Sequence, residues 1–254
     1  MKKKKTILII SGHDPSGGAG IIADVETANY FNFHCLSILT CTTIQNTSKV
    51  HKINKMPSNY MYKSFMEIIK EFKISAIKIG LIPSLKCSKE ILKIISDKRL
   101  KGVPIIIDPI IKSGSDNKLT PEKNIKFMIK NLYSKAELIT PNIYEYKVIK
   151  NLCNNIDKAQ TINIIITDYK INKKFITLKL FKKNSLKEKI FQIEKFSGIF
   201  HGTGCTLSTA IACNIGMNNN LEKSITISLD YIKNAIKLSN ISGKKQSLLN
   251  RKLF

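Results

Sequence analysis

The stretch TILIISGHDPSGGAGIIADVETANYF, residues 6–31, begins with a short apolar run, passes through a glycine-rich turn and continues as a helical pattern. Residues 6–11 predict a buried β-strand, because the run is short, β-branched and ends at a turn signal. Residues 20–31 follow as a helix, so the three parts form a strand–turn–helix unit. We therefore expect this stretch to open an α/β fold.

The same alternation of strand and helix continues along the chain. Further strands are expected at residues 34–40, 76–80, 103–108, 137–140 and 163–167, and an antiparallel pair at 175–181 and 189–196. Helices are expected at residues 58–72, 88–99, 121–133, 142–152, 204–215 and 221–239. Strands that feed helices repeatedly predict a three-layer α/β/α arrangement with a mostly parallel central sheet. No Pro/Gly/Ser-rich linker or repeat divides the sequence, so we expect residues 1–254 to form one domain.

The composition is that of a globular protein with an unusual charge. Of the 254 residues, 43% are hydrophobic, which excludes an intrinsically disordered chain, and the formal net charge is +24. Such a charge is typical of proteins that bind nucleic acid, a membrane surface or anionic metabolites. The lysines are dispersed and no nucleic-acid-binding motif accompanies them, so we favour a compositional bias and expect neither nucleic acid nor membrane as partner.

The N-terminus and the cysteines point to the cytoplasm. MKKKKTILIISG resembles a signal peptide, but its apolar part is only residues 7–10 and no cleavage site follows. The six cysteines include no CxxC and no His/Cys cluster at zinc spacing, so a disulfide framework or zinc site is not expected.

Residues 12–24, GHDPSGGAGIIAD, form the first motif with chemical potential. Its glycines allow the backbone to approach a ligand closely, and the helix that follows offers free N–H groups to an anion. Asp24, one turn into the helix, is placed to meet a ligand amine or the helix dipole. The alternative is a turn with a helix N-cap and no ligand.

A second motif, TPNIYE, follows the strand at residues 137–140. Asn142 and Glu145 share one face of the first helical turn, which suits a magnesium–phosphate site but equally a capping box without any chemistry. The magnesium–phosphate interpretation holds only if the neighbouring strand ends also belong to a phosphate site, because ligands of open α/β sheets bind at the carboxyl ends of the strands.

The third motif, HGTGCTLSTAIA at residues 201–212, places Gly202, Thr203 and Gly204 before a helix rich in small residues. The first N–H groups of such a helix bind anions, and the same helix end lowers the pKa of a thiol. We therefore expect Cys205 to carry a thiolate near neutral pH, the alternative being one more buried thiol. His201 is placed either to orient a phosphate or only to complete the loop.

Six motifs together resemble one family, the hydroxymethylpyrimidine/phosphomethylpyrimidine kinases of the ribokinase-like superfamily. They are GHDPSGGAGIIADVET, TTIQNT, KIGL, IIIDPI, LITPNIYE and HGTGCTLSTAIA, in this order. The resemblance, which extends over residues 6–240, implies an enzyme of thiamine biosynthesis that uses ATP and Mg²⁺. It further implies that the enzyme phosphorylates the hydroxymethyl group of an aminopyrimidine and then the monophosphate, commonly as a homodimer.

The resemblance also assigns residues to roles. It implies that the pyrimidine is held by Ala19, Asp24 and Gln45, with Leu81 and Ile110 as apolar walls. Cys205 takes the position of the general base, and the backbone of Gly202, Thr203 and Gly204 receives the transferring phosphoryl group. The nucleotide and phosphate residues are Asn142, Glu145, Thr167 and His201, and Asp108 and Glu145 serve the metal through water.

The sequence departs from the family after the strand at residues 163–167. The family shows Lys-Gly-Gly-His there, whereas this chain has Thr167, Asp168, Tyr169 and Lys170, so a glycine turn on the nucleotide side is missing. Two alternatives stay open: a pyridoxal-type kinase of the same superfamily, and a basic nucleic-acid-binding protein built on a kinase scaffold.

Overall fold

A computed structural model of the chain describes residues 4–112, 119–153, 162–185 and 187–253. These residues form a nine-stranded sheet in the order β3-β2-β1-β4-β5-β6-β7-β8-β9. The strands are β1 (Lys5–His13), β2 (Phe33–Gln45), β3 (Val50–Lys55), β4 (Ile74–Ile79), β5 (Ile105–Ile107), β6 (Leu138–Ile139), β7 (Asn163–Ile171), β8 (Phe175–Phe181) and β9 (Glu188–Glu194). The six strands from β2 to β7 in this order run parallel, and β3, β8 and β9 add antiparallel edges.

Helices cover both faces of the sheet. They are α1 (Gly20–Tyr30), α2 (Tyr60–Glu71), α3 (Leu85–Ile95), α4 (Glu122–Asn131), α5 (Ile143–Leu152), α6 (Thr203–Gly216) and α7 (Leu221–Lys237), with 3₁₀ turns at Lys98–Leu100 and Tyr133–Lys135. The core of one face is built with α2 to α5 and that of the other with α1, α6 and α7. The predicted three-layer fold with a mostly parallel sheet is confirmed.

The burial of β1 explains its apolar sequence. Leu8 and Ile10 belong to one core and Ile7 and Ile9 to the other, so every residue of the run is buried. A strand that is covered on both faces needs a continuous apolar run rather than an alternating one. β1 lies inside the sheet as its third strand, and its carboxyl end lies between the ends of β2 and β4.

Four strands were not predicted. β3 is polar and mostly exposed, and it forms because β2 continues to Gln45 and offers it an antiparallel edge. A second, three-stranded sheet joins β10 (Phe200–His201), β12 (Ser247–Leu248) and β11 (Ile241–Ser242). Strands of two residues are too short to show a periodic pattern in a sequence. The small sheet places residues 241–248 beside the Gly-Thr-Gly turn.

Within the described part of the chain, every helix is too short or too polar to cross a lipid bilayer.

Candidate active site

A cavity of about 570 Å³ opens at the carboxyl ends of the parallel strands. Most of the residues singled out in the sequence line it. They are Ala19, Gln45, Leu81, Asp108, Ile110, Asn142, Glu145, Thr167, His201, Gly202, Thr203 and Gly204. Segments that are far apart in the sequence therefore meet at one edge of the sheet, as expected of an open α/β fold. Asp24 and Cys205 lie behind this lining.

His201 is not free, because it pairs with Asp14 in the first glycine-rich loop. Nε2 of His201 lies 2.7 Å from Oδ2 of Asp14, and the same oxygen accepts the N–H of Ala19 at 3.0 Å. Burial acts to raise the pKa of Asp14, but hydrogen bonds from His201 and Ser16 outweigh it and lower the pKa to about 2. The Asp14 carboxylate thus ties residues 14–19 to the turn at Gly202. The sequence reasoning did not single out Asp14.

Asp24, which we expected to meet a ligand, is paired with a lysine inside the protein. Its side chain is completely buried, and both carboxylate oxygens lie 2.8 Å from Nζ of Lys78. The hydroxyl of Thr209 donates a further hydrogen bond at 2.8 Å. Burial opposes the charge on Lys78, but Asp24 outweighs it and raises the pKa of Lys78 above its usual value. The only sequence signal for this ion pair was a lysine inside the apolar strand β4.

The surroundings of Cys205 do not favour the expected thiolate. Burial raises the pKa of the Cys205 thiol to about 12, although the charge of Lys78 and the N–H of Gly20 both act to lower it. The start of α6 does not compensate for the loss of solvent, because Asp108 and Asp24 add negative charge nearby. The neutral thiol is hydrogen-bonded to the Asp108 carboxyl. It lies directly behind the cavity wall at Gly204.

We expect Cys205→Ser to keep turnover within about 100-fold of the wild type, which is the lower range of a general base's effect. We also expect the ratio of the two rates to stay constant from pH 7 to pH 9, because a neutral thiol and a hydroxyl donate the same hydrogen bond to Asp108. The measurement is kcat as a function of pH for both proteins. A ratio that rises steadily with pH would instead indicate catalysis by a Cys205 thiolate.

Asn142 and Glu145 form the capping box that was the alternative reading of their motif. Oδ1 of Asn142 accepts the N–H of Glu145 at 2.8 Å, and Oε2 of Glu145 accepts the N–H of Asn142 at 3.0 Å. The other oxygen of Glu145 accepts the N–H of Ile111 at 3.1 Å. Both residues nevertheless line the cavity, so the cap and a ligand site share the same side chains.

Asp108 and Glu145 form an acidic wall in this part of the cavity. Burial, with repulsion from Asp24, raises the pKa of Asp108 to about 6. Burial, with repulsion from Asp108, raises the pKa of Glu145 to about 8. The hydroxyl of Thr140 lies between the same strand ends, buried and without a hydrogen-bond partner. Oxygen ligands of this kind suit Mg²⁺, which usually keeps several waters. No group of three or more His, Cys, Asp or Glu side chains among the described residues is close enough to hold a metal directly. The carboxyls of Asp108 and Glu145 and the hydroxyl of Thr140 are oxygen ligands that would fit a magnesium ion held partly through water.

The site of the missing glycine turn is occupied by a strand and a carboxylate. β7 runs on to Ile171 with an irregular register, and Thr167 donates its N–H to the carbonyl of Pro141 at 3.0 Å. The Asp168 carboxylate accepts the N–H of Ile143 at the start of α5, and burial raises the pKa of Asp168. This rim of the cavity is therefore acidic, whereas the glycine turn of the family would offer N–H groups at the same place.

The far end of the cavity is apolar and was not found in the sequence. It lies between the β8–β9 hairpin and α7, and it is lined by Ile176, Leu178, Ile193, Leu229 and Ile232. The residues come from three separate elements, so no motif marks them. A slot of this kind suits a flat ring, whereas the opposite end at Gln45 is polar.

Two solved structures that superpose on this chain are kinases of small molecules. The ADP complex of pyridoxal kinase from Bacillus subtilis superposes with a TM-score of 0.85 at 23% identity, over 99% of this chain and 98% of that one. Phosphomethylpyrimidine kinase from Clostridium difficile superposes with a TM-score of 0.73 at 26% identity, over 92% of this chain and 100% of that one. The architecture is thus that of the ribokinase-like kinases.

Sequence comparison gives the family. The family model described as phosphomethylpyrimidine kinase matches residues 14–250, and the chain belongs to this family. It is 28% identical to hydroxymethylpyrimidine/phosphomethylpyrimidine kinase of Aquifex aeolicus, over 96% of this chain and 98% of that protein. It is 32% identical to the bifunctional thiamine biosynthesis protein ThiDN of Methanocaldococcus jannaschii, over 91% of this chain and 52% of that longer protein.

Proposed function

We propose that this chain uses ATP to phosphorylate 4-amino-5-hydroxymethyl-2-methylpyrimidine and then the monophosphate to the diphosphate, in thiamine diphosphate biosynthesis. The supporting observation is one continuous cavity with three kinds of wall: a polar end at Gln45, an apolar slot near Leu229, and the start of α6 between them. Together with membership of the phosphomethylpyrimidine kinase family, this arrangement suits a small ring at one end and a nucleotide at the other.

The polar end supports the aminopyrimidine as acceptor. Within the described residues the Gln45 side-chain amide makes no hydrogen bond, so its donor and acceptor are both available to a ligand. An amide that offers one donor and one acceptor matches an amino group beside a ring nitrogen. Ala19, Leu81 and Ile110 provide small and apolar surface around the ring. We assign the specificity for the pyrimidine to these four residues.

The start of α6 supports phosphoryl transfer. Gly202, Thr203 and Gly204 line the cavity at the start of α6. The first N–H groups of a helix bind anions, so we assign them to the negative charge of the transferred phosphoryl group. Phosphoryl transfer passes through a loose transition state, so placing the reactants and stabilising charge supply most of the rate. Bound Mg²⁺ would neutralise charge on the phosphates, held by Asp108 and Glu145 through water. Cys205 stays a neutral thiol that keeps Asp108 oriented.

The acidic rim and the apolar slot are assigned to the nucleotide. Asn142, Glu145 and Thr167 line the cavity, and we assign them to the triphosphate. The Ile193 side of the slot would contact the adenine ring. We further propose that residues 1–254 act as one kinase domain in the cytoplasm, as a homodimer, and without nucleic acid or membrane as partners.

The test is a coupled assay of ADP release with three acceptors: the hydroxymethylpyrimidine, its monophosphate and pyridoxal. We expect turnover with both pyrimidines and a much lower kcat/KM with pyridoxal. A Gln45→Leu variant serves as a matched control, because it removes the amide but keeps the size of the side chain. Turnover with pyridoxal alone, or equal rates for wild type and Gln45→Leu, would contradict the proposal.

A further inference from the structure

The guanidinium of Arg251, three residues before the last residue of the sequence, is buried against both glycine-rich segments of the cavity. Only 1% of its side chain is exposed. Nη1 donates to the carbonyl of Gly17 at 3.2 Å and Nη2 donates to the carbonyl of Gly18. Nε donates to the hydroxyl of Thr206 in the first turn of α6 at 2.9 Å. One side chain therefore joins the loop before α1 to the start of α6.

The choice of arginine is informative in this sequence. Only Arg99 and Arg251 are arginines among its 42 basic residues. The ammonium of a lysine is a single point donor, whereas the planar guanidinium presents five donors in a fixed fork. The three acceptors of Arg251, the carbonyls of Gly17 and Gly18 and the hydroxyl of Thr206, are met by donors spaced as in that fork. A salt bridge of 3.1 Å to Glu26 on α1 balances the buried charge.

The two glycine-rich segments are in contact at the point where Arg251 holds them. A Cβ at Gly202 would overlap the carbonyl oxygen of Gly18, the same oxygen that accepts from Arg251. On the other side of the loop, the Asp14 carboxylate bonds Ala19 and His201. The peptide between Gly18 and Ala19 is thus fixed at both ends, its carbonyl by Arg251 and its N–H by Asp14.

The backbone of Arg251 is itself anchored. Its carbonyl oxygen accepts the Tyr231 hydroxyl at 2.8 Å, and Asn250 donates its N–H to the carbonyl of Ala235 at 3.0 Å. Both partners belong to α7, the helix that also supplies Leu229 and Ile232 to the apolar slot. Arg251 therefore rests on a rigid element while it holds the loop.

We propose that Arg251 is a positioning residue of this kinase: its guanidinium holds the loop that carries Ala19 against the start of α6, so that the acceptor hydroxyl faces the phosphoryl group. The inference rests on the proposed function. It predicts that the last residues of the chain act on the transfer step without touching either substrate.

The test compares Arg251→Met and Arg251→Lys with Arg99→Met, which replaces the other arginine, at the exposed 3₁₀ turn Lys98–Leu100. We expect kcat to fall by about 100-fold in Arg251→Met, the usual effect of displacing reactants by about 1 Å, while KM for ATP changes little. Arg251→Lys should recover only a small part, because it restores the charge but not the fork. Arg99→Met should match the wild type.

A structural role alone would lower the melting temperature and leave kcat per folded molecule unchanged, so kcat is measured well below the transition of each variant. Hydrogen exchange adds a measurement that needs no activity: in Arg251→Met the amides of residues 12–20 should exchange faster, and those of α2 on the opposite face should not. Should Arg251→Met fail to fold, Thr206→Val, which removes one acceptor of the fork, should show the same changes at smaller size.

The outcomes separate this inference from the proposed function. An unchanged kcat, or faster exchange that is spread equally over residues 12–20 and α2, overturns the positioning role. If the wild type turns over neither pyrimidine, the proposed function is overturned, and with it the role of Arg251 in transfer. The exchange pattern then decides only whether Arg251 orders the loop.

Discussion

Replacing Lys78 with methionine is expected to lower the free energy of unfolding by about 3–5 kcal/mol, the usual result of removing one partner of a buried ion pair. The Asp24 carboxylate would stay completely buried and keep only the Thr209 hydroxyl as a hydrogen-bond donor. Methionine fits the space of the lysine stem, so the loss comes from the unpaired charge rather than from a void. Urea denaturation of wild type and variant measures it.

Two further variants isolate the cause. Lys73→Met, at an exposed position just before β4, should change the stability little, since its charge is solvated. Adding Asp24→Asn to Lys78→Met should restore part of the lost stability, because the amide removes the charge and still accepts from Thr209. If Lys78→Met proved as stable as Lys73→Met, the pair would not hold the centre of the fold as the distances imply.

The example of Lys78 marks the boundary of what the sequence can predict. The apolar run of β1 predicts a strand that is buried on both faces, because it is short, β-branched and ends at a glycine-rich turn. The strand-end motifs predict a shared site, because parallel strands bring their carboxyl ends together. Asp24, by contrast, was assigned to a ligand because its partner lies 54 residues away, and nothing local in the sequence pairs them.

The chemistry of Cys205 shows a second limit. A helix terminus can be read from a sequence, and it acts to lower the pKa of a thiol. Burial and the two neighbouring carboxyls act in the opposite direction and are larger, but they depend on the packing of α6 against β1, β4 and β5. Arg251 and Asp14 were missed for the same reason, since each joins segments that are distant along the chain.

Gly202→Ala is expected to reduce kcat by at least about 100-fold, in the range reported for loss of a preorganised donor at a reacting group. Gly202 has φ +78° and is the residue from which α6 begins. An alanine there would overlap the carbonyl oxygen of Gly18, so either the loop at residues 14–19 or the start of α6 must move. Either movement changes the distance between the acceptor and the phosphoryl group, and kcat with saturating pyrimidine and ATP measures this change.

Gly102→Ala is the matched control for the backbone strain. Gly102 has φ +79°, nearly the same conformation, but no atom lies within 4 Å of the position of its Cβ. Both variants carry the cost of a left-handed alanine, about 1–2 kcal/mol, and only Gly202→Ala also displaces the loop. We therefore expect similar losses of stability from the backbone but a loss of turnover in Gly202→Ala alone. Equal kcat values for the two variants would show that the contact between Gly18 and Gly202 has no part in the reaction.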